Sequence, residues 1–205
     1  MRFTIAIDGP AAAGKGTIAR ALARRLGIAY LDTGLLYRAV GARVAEGADP
    51  VAAAQSLTEA DLARPDLRSL TASEAASRVA ALPAVRAALV DFQRRFARRQ
   101  GGAVLDGRDI GTVICPDAEV KLFVTADAET RARRRWLEAG GEYAPEPLAT
   151  VLDRVRARDA RDMGRADAPL RPAEDALILD TTELDIDTAI ARALQAVNDR
   201  LRPRD

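Results

Sequence analysis

One stretch near the start constrains this chain more than any other. Phe3 to Asp8 (FTIAID) is a short apolar, β-favouring run, and Gly9-Pro10-Ala11-Ala12-Ala13-Gly14-Lys15-Gly16-Thr17 follows it at once. Ile18, Leu22 and Leu26 then recur at helical spacing. A strand that passes through a glycine-rich turn into a helix, at the spacing G-x-x-x-x-G-K, is the arrangement of a phosphate-binding loop. Glycine lets the backbone curl so that N–H groups face phosphate oxygens, and the helix start adds its positive dipole end. Lys15 can reach the β- and γ-phosphates, and Thr17 can offer a hydroxyl.

The rest of the composition narrows the chemistry. The chain of 205 residues has no histidine and one cysteine, Cys115. Histidine-based zinc sites, Ser-His-Asp triads and thiolate metal sites therefore lack their parts. Basic and acidic residues number 31 and 30, which argues against a nucleic-acid binder that works through an excess of positive field. All the basic residues except Lys15 and Lys121 are arginine, whose planar fork suits phosphate. That makes the lysine inside the loop more telling. Cys115 sits in the apolar setting Val113-Ile114-Cys115-Pro116 and reads as a small buried hydrophobe. The N-terminal apolar run is too short for a signal peptide, and no run of eighteen or more apolar residues exists. The expectation is a cytoplasmic protein without a membrane span.

Four more runs resemble Phe3–Asp8: Ile28 to Asp32, Ala103 to Asp106, Val120 to Thr125 and Leu177 to Asp180. They are apolar without strict alternation, as strands buried on both faces of a parallel sheet are. The stretches between them carry helical spacing, such as Ile186, Ile190, Leu194 and Val197. The fold class is α/β: a five-stranded parallel sheet flanked by helices, all within one domain over 1–205. Residues 34–100 hold no strand pattern and predict a helical lobe over the sheet, punctuated by Pro50, Pro65 and Pro83. The Gly- and Pro-rich stretch at 139–147 predicts a mobile loop between two arginine-rich helices, so that 131–165 forms a second appendage.

Three further segments carry chemistry. The second strand ends in Asp32-Thr33-Gly34-Leu35-Leu36-Tyr37-Arg38, and the third in Asp106-Gly107-Arg108-Asp109-Ile110-Gly111-Thr112. Later comes Arg158-Asp159-Ala160-Arg161-Asp162-Met163-Gly164-Arg165, running on to Ala166-Asp167-Ala168-Pro169-Leu170. The GKGT form of the loop is similar to that of the nucleoside monophosphate kinases. Together with LDTGLLYR, LDGRDIGT and RDARDMGRADAPL it resembles the bacterial cytidylate kinases, in order, from about Phe3 to Leu201. The resemblance implies a P-loop kinase that moves the γ-phosphoryl group of ATP to CMP and dCMP with the help of Mg²⁺. It makes 34–100 the lobe that binds the nucleoside monophosphate and 131–165 the lid.

Residue types and resemblance then assign roles. Gly9 to Thr17, namely Gly9, Pro10, Ala11, Ala12, Ala13, Gly14, Lys15, Gly16 and Thr17, would hold ATP. Strand ends of an open α/β sheet face the ligand crevice, so Asp32, Asp106, Arg108 and Asp109 line it. Arg38 and Arg108 suit the acceptor's phosphate, and Thr33 joins them. Cytosine offers an N4 amino donor, and Asp109 is the candidate acceptor for it. The family pattern adds Ser77, Arg86 and Arg165 around the base, and Arg158 and Asp162 at the ribose. Lys15, Arg108, Arg131, Arg134 and Arg161 are the expected catalytic charges, with Arg135 as the alternative to Arg134. Asp32 and Asp106 orient Mg²⁺-bound waters or nearby arginines, and no direct metal ligand is expected. Arg154, Arg158, Arg161 and Arg165 follow i, i+4, i+7, i+11 and predict one helical face; Arg133 should face solvent, while Trp136 and Leu137 should pack.

Phosphoryl transfer to an ionised phosphate needs positioning and charge neutralisation rather than a proton-accepting base, which suits a chain without histidine. Two rivals remain: a P-loop kinase for UMP, AMP or shikimate, and a non-catalytic ATP-binding switch. The only tail for such a switch is Arg202-Pro203-Arg204-Asp205. Near-zero charge and few aromatic residues count against a nucleic-acid-dependent ATPase, and the compact layout suits a monomer. One departure from the family stands out. Many of its members carry a small antiparallel insert where this chain has only Leu62-Ala63-Arg64-Pro65-Asp66-Leu67-Arg68-Ser69-Leu70.

Overall fold

The computed structural model describes residues 3–201, so the Arg202–Asp205 tail lies outside the described residues. Among them are the strands β1 (Thr4–Asp8), β2 (Ala29–Asp32), β3 (Ala103–Asp106), β4 (Val120–Thr125) and β5 (Leu177–Asp180). They form one parallel sheet in the order β2-β3-β1-β4-β5. These are the apolar runs of the sequence, shortened by one residue at the start of β1 and β2. The helices are α1 (Lys15–Leu26), α2 (Thr33–Ala45), α3 (Pro50–Gln55), α4 (Glu59–Leu62), α5 (Leu70–Val79), α6 (Pro83–Ala97), α7 (Ala128–Glu138), α8 (Leu148–Met163) and α9 (Ile186–Leu201). None is long and apolar enough to cross a membrane.

Local signals start most of these helices. Asp32, Asp49, Ser69 and Asp127 each accept an N–H from the first turn of α2, α3, α5 and α7. Proline opens α3 and α6, where its missing N–H is no loss. Helix α1 differs, because its start is Gly14 in the left-handed region with no side-chain cap. Its first N–H groups therefore have no side-chain acceptor.

Two cores sandwich the sheet. On one face Ile5, Ile7, Val104, Leu122 and Leu179 pack on α1 and α9 through Ile18, Leu22, Ala189 and Val197. On the other, Ala6, Ala103 and Leu105 meet Ala97 of α6 and a turn of π-helix at Ile110–Ile114. The expectation of strands buried on both faces holds for β1 and β3 but fails elsewhere: interior β4 buries Val120, Leu122 and Val124 and leaves Lys121, Phe123 and Thr125 half-buried. Strand β2 is half-buried throughout, and Leu177 and Ile178 of β5 are 37% and 59% exposed. The second layer, α6 and the Ile110 turn, packs on β1 and β3 and leaves one face of β4 and β5 less covered.

Helices α2, α3, α5 and α6 share a separate core of Leu36, Tyr37, Val40, Ala53, Val79, Val85 and Leu89. Helix α6 belongs to this lobe and to the sheet at once, so it carries one core into the other. Over residues 62–70 the chain leaves α4 and makes one 3-10 turn at Pro65–Arg68, with no strand. Helices α7 and α8 pair through Ala132, Val151 and Val155, with Trp136 against them. Leu137 does not pack as expected: it is 57% exposed, one residue round the helix from the buried stripe. Cys115 is buried, and burial pushes its thiol up to about 11, so it is a core side chain.

Candidate active site

Parallel strands bring their carboxyl ends to one edge, and the site is built there. Asp32 pairs in register with Asp106, and Ile7 with Asp106 on the other side. The loop after β1 passes so close to β4 that a Cβ on Gly9 would lie 1.9 Å from the Val124 carbonyl oxygen, with φ at +143°. Only glycine fits there. Ala12 also takes a positive φ of 62°, which a non-glycine residue adopts at a cost of about 1–2 kcal/mol. Lys15 is buried, and its Nζ donates to the Pro10 carbonyl at 2.8 Å. Burial, then the Arg108 charge, pushes the ammonium down to about 7. Thr17 is exposed at the edge of the loop.

The carboxylates at the strand ends have definite partners. Asp32 accepts from Arg38 Nη2 at 2.6 Å and caps α2 through Leu35 N–H, so it orients an arginine. Asp106 accepts from the Tyr30 hydroxyl at 2.6 Å, and Thr33 Oγ1 donates to the Asp106 carbonyl at 2.7 Å. Burial, then the neighbouring Asp32 charge, raises the Asp106 carboxyl above its ordinary range. A cation near these two carboxylates would relieve that repulsion. No group of three or more potential metal-ligating side chains forms among the described residues. The facing carboxylates of Asp106 and Asp32 fit the water shell of a Mg²⁺ ion beside phosphates.

At the far end of the cleft Arg86, from α6, donates through Nη2 to Asp109 Oδ2, both groups being buried. Asp167 Oδ2 lies 3.6 Å from Arg86 Nε. Between this pair and the loop stands Asp162, 1% exposed. It accepts from Arg108 Nε at 3.0 Å, from Ser77 Oγ at 3.1 Å and from Arg165 Nη2. Burial alone would raise the Asp162 carboxyl, and Arg108, Arg165 and Arg158 together hold it below the usual range. The expected helical face is shorter than its spacing predicts. Helix α8 ends at Met163, so Arg165 reaches Asp162 from beyond Gly164 rather than from a fourth helical turn.

These groups line one cleft of about 830 Å³ that runs from Ala11, Ala12, Lys15 and Gly16 to Arg86, Asp109 and Arg165. Thr33, Arg38, Ser77, Arg108, Arg158 and Asp162 form its walls with Asp32 and Asp106. Burial pushes Arg135, Arg158 and Arg165 down, with other arginine charges adding to the effect. An excess of buried positive charge is the signature of a site that binds polyanions.

The arginines of α7 and α8 point in different directions. Arg134 does not face the cleft: its guanidinium donates to the Thr181 carbonyl at 2.6 Å and to Thr181 Oγ1 at 3.0 Å. Arg135 lines the cleft instead, because one residue is a 100° step round a helix. Arg131 is buried against Asp159, Nη2 to Oδ2 2.5 Å, and its Nη1 reaches the Ala11 carbonyl of the loop. Arg161 is exposed at a smaller adjoining cavity and donates to Ser77 Oγ at 3.1 Å. Arg133 faces solvent.

Four residues that sequence reasoning missed belong to this region. Tyr30, Arg20 and Ser73 line the cleft, and Asp8 accepts the backbone N–H groups of Ile110 and Gly111. Ser73 stands four residues before Ser77, so helical spacing could have found it. Asp8 closes the first strand as Asp32 and Asp106 close theirs, a parallel visible in the sequence.

Residues 5–199 match the family model for cytidylate kinase. A cytidylate kinase of Cereibacter sphaeroides is 70% identical over 197 residues, covering 96% of each chain. One from Methylocella silvestris is 55% identical over 208 residues, covering 97% of this chain and 96% of the relative. In structure, an uncharacterized protein of Eubacterium ventriosum aligns with a TM-score of 0.59 at 17% identity, covering 96% and 98% of the two chains, which shows a shared fold. A phosphate loop at one end of an arginine-lined cleft, a buried Arg–Asp pair at the other, and agreement over nearly the whole length lead to one assignment: the chain belongs to the cytidylate kinase family.

Proposed function

We propose that this protein transfers the γ-phosphoryl group of ATP to CMP, giving ADP and CDP, with dCMP as a second acceptor. The observation that carries the reading is the pairing of two ends in one cleft. An uncapped helix start with a buried lysine is made for a polyphosphate, and the buried Arg86–Asp109 pair can read a base edge. A carboxylate oxygen accepts the cytosine N4 amino group, whereas uracil presents a carbonyl oxygen there and would be repelled.

The acceptor phosphate is already ionised at neutral pH, so the protein's work is positioning and charge neutralisation. Arg38 and Arg108 hold the acceptor phosphate, Ser77, Arg86, Asp109 and Arg165 hold the base, and Arg158 and Asp162 hold the ribose. Lys15 and Arg108 face the reacting phosphates, with Arg135, which lines the cleft, beside them and Arg134 turned to Thr181. Arg131, whose Nη1 reaches the Ala11 carbonyl of the loop, and Arg161 supply further charge to the moving phosphoryl group. Asp106 and Asp32 would hold the waters of a Mg²⁺ ion, which neutralises phosphate charge when bound. The location expected of such an enzyme is the cytoplasm, and the expected state is a monomer.

The test is ADP production from Mg-ATP with CMP, dCMP, UMP, AMP, GMP and shikimate offered separately. Strong turnover confined to CMP and dCMP supports the reading. Turnover with UMP as well would point to looser base recognition in a lobe without the insert. ADP release that ignores the acceptor would sink the kinase reading and leave an ATPase or a switch.

A further inference from the structure

Side chains hold carbonyl groups of the phosphate loop in place. Lys15 Nζ donates to that of Pro10 at 2.8 Å, Arg131 Nη1 to that of Ala11 at 3.3 Å, and the Thr181 hydroxyl to that of Ala13 at 3.1 Å. Thr181 follows β5, is 3% exposed and does not line the cleft. Arg134 grips it twice, through Nη2 to its carbonyl at 2.6 Å and through Nη1 to its Oγ1 at 3.0 Å. With Oγ1 accepting from Arg134, the single hydroxyl proton goes to a carbonyl. Those of Ala13 and Thr125 both lie at 3.1 Å, and the Thr125 carbonyl already accepts the Thr181 N–H at 2.8 Å. Ala13 is fully buried, so its carbonyl has the greater need of the bond.

The Ala13 carbonyl and the Gly14 N–H share one planar trans peptide and point in opposite directions. Gly14 stands before α1 in the left-handed region, and a Cβ there would meet nothing within 4 Å. Packing at Gly14 therefore does not fix this peptide, and glycine tolerates either orientation of it. The bond from Thr181 does fix it. We propose that Thr181, oriented by Arg134, is a positioning residue for the phosphoryl donor: it locks the Ala13–Gly14 peptide so that the Gly14 N–H faces the polyphosphate. The inference rests on the reading of the loop as the ATP site, and it gives Thr181 and Arg134 a role there without contact with the nucleotide.

The test measures kcat and KM for ATP and for CMP, and the binding of inorganic tripolyphosphate by calorimetry. The proteins compared are the parent, Thr181→Val, Thr181→Ser, Arg134→Met and the Thr181→Val/Arg134→Met double variant. Tripolyphosphate has neither base nor sugar, so it reports on the loop alone. Loss of one N–H bond to a charged group predicts that Thr181→Val raises KM for ATP and Kd for tripolyphosphate about tenfold each. The effect falls on KM for ATP rather than on kcat or on KM for CMP, because the bond is common to ground and transition states. Thr181→Ser keeps the hydroxyl and the parent values. Arg134→Met frees the hydroxyl to turn to Thr125, shifts both constants the same way by a smaller factor, and adds nothing in the Thr181→Val background. That single variant carries the test if Thr181→Val, which leaves a buried carbonyl unpaired, fails to fold. Unchanged tripolyphosphate binding overturns the inference even where KM for ATP rises, since the fault then lies at the base end of the donor. Equal rises in KM for ATP and CMP, the mark of a general structural loss, also overturn it. A parent that binds neither ATP nor tripolyphosphate overturns the reading of the loop itself, and the inference with it.

Discussion

The carboxylate of Asp8, at the end of β1, accepts the backbone N–H of Gly111 at 2.7 Å, and its second oxygen accepts that of Ile110 at 2.8 Å. One buried side chain thus ties the phosphate loop that follows it to the segment that carries Arg108 and Asp109. Asp8→Ala orphans two buried donors, at about 1–3 kcal/mol each. Denaturant unfolding should show a loss of about 2–5 kcal/mol. A change within about 0.5 kcal/mol, the range of an inert surface substitution, would contradict this role.

The same residue sets a pH dependence. Burial raises the Asp8 carboxyl from 3.8 to about 7, against the lowering effect of the Gly111 and Ile110 N–H groups. Between those values the native state keeps a proton that the unfolded chain has lost. The stability linked to Asp8 is therefore complete below about pH 4 and is lost as pH rises through about 7. Parent protein should lose about 2–3 kcal/mol more than Asp8→Asn between pH 5 and pH 8. Unfolding curves that shift in parallel for the two proteins would refute it.

Lys15 runs the other way. Burial and Arg108 lower its ammonium from 10.5 to about 7, so the lysine is largely neutral at pH 8 before anything binds. A polyphosphate beside it restores the charge. Binding of ATP at pH 8 should take up as much as about one proton, and at pH 6 close to none. Calorimetry in buffers of different ionisation enthalpy measures this directly. An enthalpy at pH 8 that is independent of buffer would show that Lys15 is charged throughout. Lys15→Met should abolish the uptake and lower kcat for every acceptor by a factor on the order of 10²–10³.

Asp109→Asn replaces part of an acceptor with an amide donor and leaves Arg86 only the more distant Asp167, 3.6 Å from its Nε. An amide donor suits the O4 carbonyl of uracil, so the ratio of kcat/KM for CMP over UMP should fall by a factor of about 10–100. The lost ion pair should also lower the melting temperature, since an unpaired buried charge is expensive. Equal losses on the two nucleotides would remove Asp109 from the base-reading set.

Much of the architecture was legible because it is encoded locally. The five apolar runs became the five strands, and the segment Gly9–Thr17 leads from β1 into the first turn of α1. The region 34–100 folded as helices because its apolar residues recur at helical spacing and its prolines fall at helix starts. The edges of the sheet were harder. Ile178 reads as apolar as Ile5, and nothing in its neighbourhood announces that one face of β5 is left less covered.

The sequence by itself determined the order of strands and helices, the position of the phosphate loop and the residue types around it. Side-chain period, glycine tolerance and helix capping act over a few residues, so they can be read in one dimension. Only the tertiary structure decided which arginine meets which carboxylate. Arg134 and Arg135 are adjacent, yet a 100° turn sends one to Thr181 and the other into the cleft. Ser73 finds Arg158 across 85 residues, and Tyr30 finds Asp106 across 76. Many such pairings are chemically equivalent in a chain this rich in arginine and aspartate. The rotation and approach of whole helices, set by apolar packing elsewhere, select the one that forms.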